Sequence, residues 1–291
     1  MLKRKGIPVV LRCPNYRIFC PNGLFYNSRG FICEKCTGKG KEIWCIRYNC
    51  MGSIMKSIAY AARNYFARKR KSFVDYPDIF LVQSEFQKKK FIDLGIPEER
   101  IEILPGIAPG IKINSHPFSR KYVSFIGRIS REKGIEDFLG AASRMPEIEF
   151  VVAGKLSDGY TIPENRGNVI WKGYLEGDSL DELYEQSAVV IVPSRWYEGF
   201  PNVITRAMMN SVPVITTTNG ALPQIVENGV NGITYKSGDI EMLVKLIYRI
   251  FENPEEAMSM GIRGRAKAEK DFSARSIYEK LLGIFESLVK S

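Results

Sequence analysis

The chain has 291 residues, 45% hydrophobic and 25% charged, a balance that excludes extensive disorder. No stretch approaches the ~20 consecutive apolar residues of a membrane span. The net charge of +10 is uneven, since residues 1–92 hold 19 Lys and Arg against 5 Asp and Glu and the remainder is slightly acidic.

The chain opens MLKRKGIPVVL, whose apolar run is short, interrupted by Pro8 and followed by Arg12. That is a poor signal peptide, so the expected location is cytoplasmic. The segment PVVLRC reads as a first strand. All six cysteines then fall between positions 13 and 50. The spacing Cys33-x2-Cys36-x8-Cys45-x4-Cys50 fits a compact structural zinc site with Cys20 as a fifth neighbour; buried thiols without metal are the alternative. Four thiolates close a site, so a catalytic metal is not expected.

Residues 52–71 read as a helix with Ile54, Ile58, Ala61 and Tyr65 along one stripe. The helix ends ARNYFARKRK, and Lys56, Arg63 and Arg70 align on it. This basic face suits either peripheral contact with an anionic membrane surface or plain solvation. No nucleic-acid-binding signature accompanies the basic third, and the aromatic residues are scattered, so nucleic acid is not an expected partner. Strand DIFLVQ, a helix over residues 84–94 and strand IEILPG follow.

The Pro- and Gly-rich segment PGIAPGIKINSHPFSR carries the only histidine, His116, and places a boundary between a domain over 1–115, with its cysteine-rich insertion at 13–50, and a domain over 116–291. In the second domain YVSFIG, EFVVAG, NVIWKG, AVVIVP, VPVIT and GITYK are continuous, mostly β-branched runs suited to buried parallel strands. Helical periodicity appears near 133–144, 178–187, 202–210 and 222–228, then from 239 to the end. The fold class is therefore α/β with parallel sheets, Rossmann-like in both domains, the first incomplete.

Three strand-to-helix turns carry the candidate chemistry. Gly127 and Arg128 close YVSFIG, and Lys133 follows in SREKG; the two cations suit a diphosphate, or else form a solvated surface. PSRWYEGFPNVITRAM leads off AVVIVP and brings Glu198 to a turn, where a carboxylate meets sugar hydroxyls or caps the following helix. TTTNGALPQ leads off VPVIT. Helix N-terminal amides after the last two turns suit phosphate.

The order of these motifs resembles retaining glycosyltransferases of the GT-B fold, family 4 type. FIGRISREKG looks like the family's GRL-x-x-EKG loop, PSRWYEGFPNVITRAM like its Glu-x7-Glu block, and NGALPQIVENGVNGITY like its GG-x-P-E-I-V segment. NYRIFCPNGLFYNSRGFICEKC looks like HNYR-x-x-CPNG with trailing cysteines, which in many members lies about a third of the way along. The resemblance implies that Arg128 and Lys133 hold the donor diphosphate and Glu198 the donor sugar. Gly127, Gly199, Phe200, Pro201, Asn202, Val203, Arg206, Gly220 and Ala221 would complete the donor site.

It further implies transfer of a hexosyl group from a UDP- or GDP-type sugar to a glycan or lipid-linked acceptor, with retention and no metal cofactor, in polysaccharide biosynthesis at the inner membrane face. Three departures keep a second reading open, that of a non-catalytic or degenerate homologue acting as a subunit or binding module. Arg206 stands where the family has its second acid, which meets the nucleotide ribose; its expected contact is Glu198 or a donor phosphate. Pro14 stands where the family has a histidine. By the same resemblance the chain is expected to start within the first domain, which implies a misplaced start, a partner chain completing that domain, or a remnant.

Overall fold

The computed structural model describes residues 5–110, 120–162 and 167–290. His116 and the boundary at 115/116 lie outside the described residues. The chain divides into two compact units.

The first unit comprises the chain up to Pro105, the loop Trp196–Phe200 and the C-terminal part from Ile277. Its sheet has three parallel strands in the order β1 (Val10–Arg12), β2 (Ile79–Val82), β3 (Ile101–Ile103). The helices are α1 (Ile43–Arg47), α2 (Ile54–Lys69), α3 (Ser72–Asp75) and α4 (Glu85–Asp93). Ser84 starts α4 as its N-cap, its hydroxyl accepting from the Gln87 amide. Phe25, Phe80, Val82, Phe91 and Ile101 pack the core beside Cys13 and Cys20. On the other sheet face Leu81 and Leu104 meet Ile277 and Ile284 of the last helix.

The expected apolar stripe on α2 is not a core face. Ile54, Ile58 and Tyr65 are exposed, and the buried residues are Ser57, Ala61 and Asn64. The reason is polar satisfaction: the Ser57 hydroxyl donates to Asn49 Oδ1, and Asn64 Nδ2 donates to the Arg17 carbonyl. Arg63 is drawn off the basic face, bonding Asn64 and stacking on Tyr60.

The second unit is a six-stranded parallel sheet of β4 (Tyr122–Ile126), β5 (Phe150–Ala153), β6 (Val169–Gly173), β7 (Ser187–Val192), β8 (Val214–Thr217) and β9 (Ile233–Tyr235). Their order is β6-β5-β4-β7-β8-β9, so the winding reverses between β4 and β7, where open α/β sheets bind ligands. All six expected strands form. The connecting helices are α5 (Ile135–Ala142), α6 (Gly177–Gln186), α7 (Asn202–Met209) and α8 (Leu222–Ile225), followed by α9 (Ile240–Glu252) and α10 (Pro254–Asp271); α11 (Ala274–Lys290) belongs from Ile277 onward to the first unit. α8 stops short of the expected 222–228 because Glu227 enters a turn held by Asn231, whose Oδ1 accepts the Glu227 amide.

Candidate active site

In the second unit a cleft of about 190 Å³ lies at the carboxyl ends of β4 and β7. Gly127, Arg128 and Lys133 line one side; Pro193 and Ser194, with Pro201, Asn202 and Val203 at the start of α7, line the other. Thus six of the expected donor-site residues share one cleft at the switch point. Gly220 and Ala221 follow β8, the next strand, and are not among its lining residues.

Local packing explains the glycines. Gly134 has φ +75°, and a Cβ there would stand 1.9 Å from the Pro193 carbonyl oxygen. No other residue lets the turn before α5 lie directly on the end of β7. On the other flank the Ser194 carbonyl accepts from Thr217 Oγ1 at 2.7 Å and Asn219 Nδ2 at 2.9 Å, tying the exits of β7 and β8 together.

Two arginines here pair with acids. The Arg128 guanidinium bonds Glu132 Oε1 at 2.5 Å, with Arg128 half exposed. Arg195, unassigned by the motif reading, bonds the fully buried Asp137, which also accepts the Gly238 amide at 3.1 Å. At the start of α7 the Ile204 amide donates to the Pro201 carbonyl at 3.0 Å, and Pro201, the N-cap, supplies no side-chain bond. The cleft is thus lined by Arg128, Lys133 and the first residues of α7.

Arg206 lies one turn into α7. Its Nη2 and Nε reach Asp181 Oδ1 of α6 at 2.6 and 3.2 Å, and its guanidinium sits 5.7 Å over the Tyr184 ring. Its partner is Asp181, an acid that the motif reading did not name.

Glu198 belongs to the first unit. It is 4% exposed, and Trp196 Nε1 donates to its Oε1 at 2.9 Å. Beside it a Cβ on Gly199 would come within 2.9 Å of Gln83 Oε1 and 3.6 Å of the Pro14 carbonyl oxygen. Tyr197 packs on Phe86, Tyr16 and Phe25. Burial, then the negative charge of Glu34, pushes the Tyr197 hydroxyl up to about 12. Tyr16 is a further candidate that the motifs did not single out. Its hydroxyl is buried with no hydrogen-bond partner, and burial, then Tyr197, Glu198 and Glu34, raise its pKa.

The comparisons with known proteins agree with this geometry. The chain is 27% identical over 71% of its length to the capsular polysaccharide biosynthesis glycosyltransferase CapM of Staphylococcus aureus, covering 61% of that protein. It is 27% identical over 58% of its length to the alpha-maltose-1-phosphate synthase of Mycolicibacterium smegmatis, covering 49%. The chain thus spans about half to three fifths of these relatives. The solved structure of Anabaena HepE in complex with UDP-glucose superimposes with a TM-score of 0.72, at 17% identity over 98% of this chain and 74% of that one. A Thermosynechococcus elongatus sucrose-phosphate synthase gives 0.63 at 21% identity, over 76% and 61%. These neighbours share the GT-B fold. The profile of the family Glycosyl transferases group 1 matches residues 111–267, more than half of the chain, and the protein belongs to that family.

Proposed function

We propose that the chain is a retaining glycosyltransferase that moves a hexosyl group from a UDP- or GDP-linked sugar to a glycan or lipid-linked acceptor. The observation that carries this reading is the cleft at the switch point of the second sheet, where Arg128, Lys133 and the first amides of α7 converge. Such a cradle suits a diphosphate better than any neutral ligand.

In this mechanism the cradle stabilises negative charge growing on the leaving diphosphate, the largest contribution the protein makes. Arg128 turns from Glu132 toward the phosphate. Glu198, desolvated and oriented by Trp196, holds a donor hydroxyl. The departing phosphate oxygen takes the acceptor's proton on the face it leaves, which retains the anomeric configuration. The positive charge in the cleft stands in for a metal, so transfer proceeds without one.

A lipid-linked acceptor is supported by α2, where Ile54, Met55, Ile58 and Phe66 are exposed beside Lys56, Arg68, Lys69 and Arg70. An apolar and basic face of this kind rests on an anionic membrane surface. Among the described residues no helix is long and apolar enough to cross a membrane.

Calorimetry of the full chain with UDP, GDP and UDP-sugars tests the proposal. Micromolar binding of one nucleotide is expected, weakened about tenfold or more by Arg128→Ala. If no nucleotide binds, the reading as an enzyme is overturned and the non-catalytic alternative stands.

A further inference from the structure

The segment from Cys20 to Gly52 has little regular structure to hold it. It contains one 3-10 turn at Lys35–Thr37, the short α1, and an isolated bridge between Tyr26 and Ile32. Phe25, Lys41 and Asn49 adopt left-handed backbone there, with φ of 49°, 46° and 46°. Each such residue is unfavourable for a side chain with a Cβ and persists only where surrounding structure enforces it. The local apolar cluster is small: Cys36, Cys45 and Ala61 are its buried members.

What converges in this segment is sulfur. Cys20, Cys33, Cys36, Cys45 and Cys50 line one small pocket of about 10 Å³, and all five are free thiols. The left-handed turn at Asn49 folds the chain back so that the Cys50 amide donates to the Cys45 carbonyl at 3.0 Å. The Cys45 and Cys50 side chains hydrogen-bond each other. Cys20 has a separate partner, its thiol donating to Asn22 Oδ1 at 2.9 Å.

The rim is cationic. Lys35 Nζ sits 4.4 Å over the Trp44 ring, Arg47 5.2 Å over the same ring, and Arg29 5.0 Å over Tyr48. Trp44 and Tyr48 both line the pocket. All three cations are exposed at this rim. Around four thiolates and one divalent ion, a centre of net charge −2, they complete the electrostatics.

We propose that Cys33, Cys36, Cys45 and Cys50 bind one structural zinc ion, with Cys20 a protonated neighbour. Four sulfurs make a closed tetrahedral site, so the ion staples the lobe and takes no part in chemistry. Among the described residues no three His, Cys, Asp or Glu side chains form a ready-made metal cage. The thiols instead line a shared wall and close on the ion by χ1 rotation, releasing their protons as they bind. This inference is independent of glycosyl transfer.

The test is metal analysis of the full chain purified without chelator under reducing conditions. About one equivalent of zinc is expected, released when the thiols are titrated with a mercurial. Stripped, reduced protein should take up cobalt(II) with the thiolate charge-transfer bands of a tetrahedral sulfur site. Cys36→Ser and Cys45→Ser should lose the zinc, whereas Cys20→Ser should keep it. If the serine variants do not fold, the cobalt spectrum of the unaltered chain decides. Absence of zinc together with failure to bind cobalt overturns the proposal, as does a Cys45–Cys50 disulfide found by mass in freshly isolated protein.

Discussion

Arg206 of α7 and Asp181 of α6 form an ion pair at 2.6 Å, with both side chains between a quarter and a third exposed. Arg206, at the position where the motif resemblance implies a second acid, is therefore matched by an acid on the neighbouring helix.

The pair makes a prediction about restoring the family pattern. Arg206→Glu alone sets a carboxylate against Asp181, and like charges at this range repel. The swap Asp181→Arg with Arg206→Glu removes that conflict. In calorimetry the double variant should bind UDP more tightly than Arg206→Glu by about tenfold. Equal affinities would show that Asp181 does not bear on nucleotide binding. Asp181→Asn alone should shift stability by less than about 1 kcal/mol, as expected of a partly exposed pair.

Trp196 and Glu198 make a second prediction. The indole N–H is the donor that orients the buried carboxylate. Trp196→Phe keeps a large ring and removes that donor, so kcat should fall about ten- to a hundredfold. Affinity for UDP alone should hold, because UDP lacks the sugar that Glu198 is proposed to meet. Glu198→Gln should behave in the same way. A loss of UDP affinity equal to the loss of rate would place Glu198 at the nucleotide instead.

Gly134 supplies the third. With φ +75° and the Pro193 carbonyl oxygen 1.9 Å from any added Cβ, Gly134→Ala must push the turn before α5 off the end of β7. The expected cost exceeds about 2 kcal/mol, read from the urea midpoint. Arg128 and Lys133 precede this turn, so the folded fraction should also bind UDP more weakly. A variant of unaltered midpoint would show that the close approach at Gly134 is not needed for packing.

Much of the second unit is legible without coordinates. Runs such as AVVIVP and YVSFIG are continuous and β-branched because both sheet faces are covered, and a strand buried on both faces has no polar positions to alternate. Gly127 and Gly134 mark turns by the backbone freedom that only glycine has. The helix from 52 to 71 is equally legible in its limits, Ile54–Lys69. Its buried face is not, because apolar periodicity carries no signal that Ser57 and Asn64 find hydrogen-bond partners inside.

The sequence by itself determined the α/β class, the parallel strands, the glycine turns and the family motifs. These follow from local patterns of two to ten residues, where sterics and solvation act on neighbours. Tertiary structure alone decided that Arg206 answers to Asp181, 25 positions away, and that Trp196 turns its N–H onto Glu198. Those relationships depend on which helix lies beside which, and on how loops close. Charge and hydrogen bonding act across space, so spacing along the chain could name the groups without naming their partners.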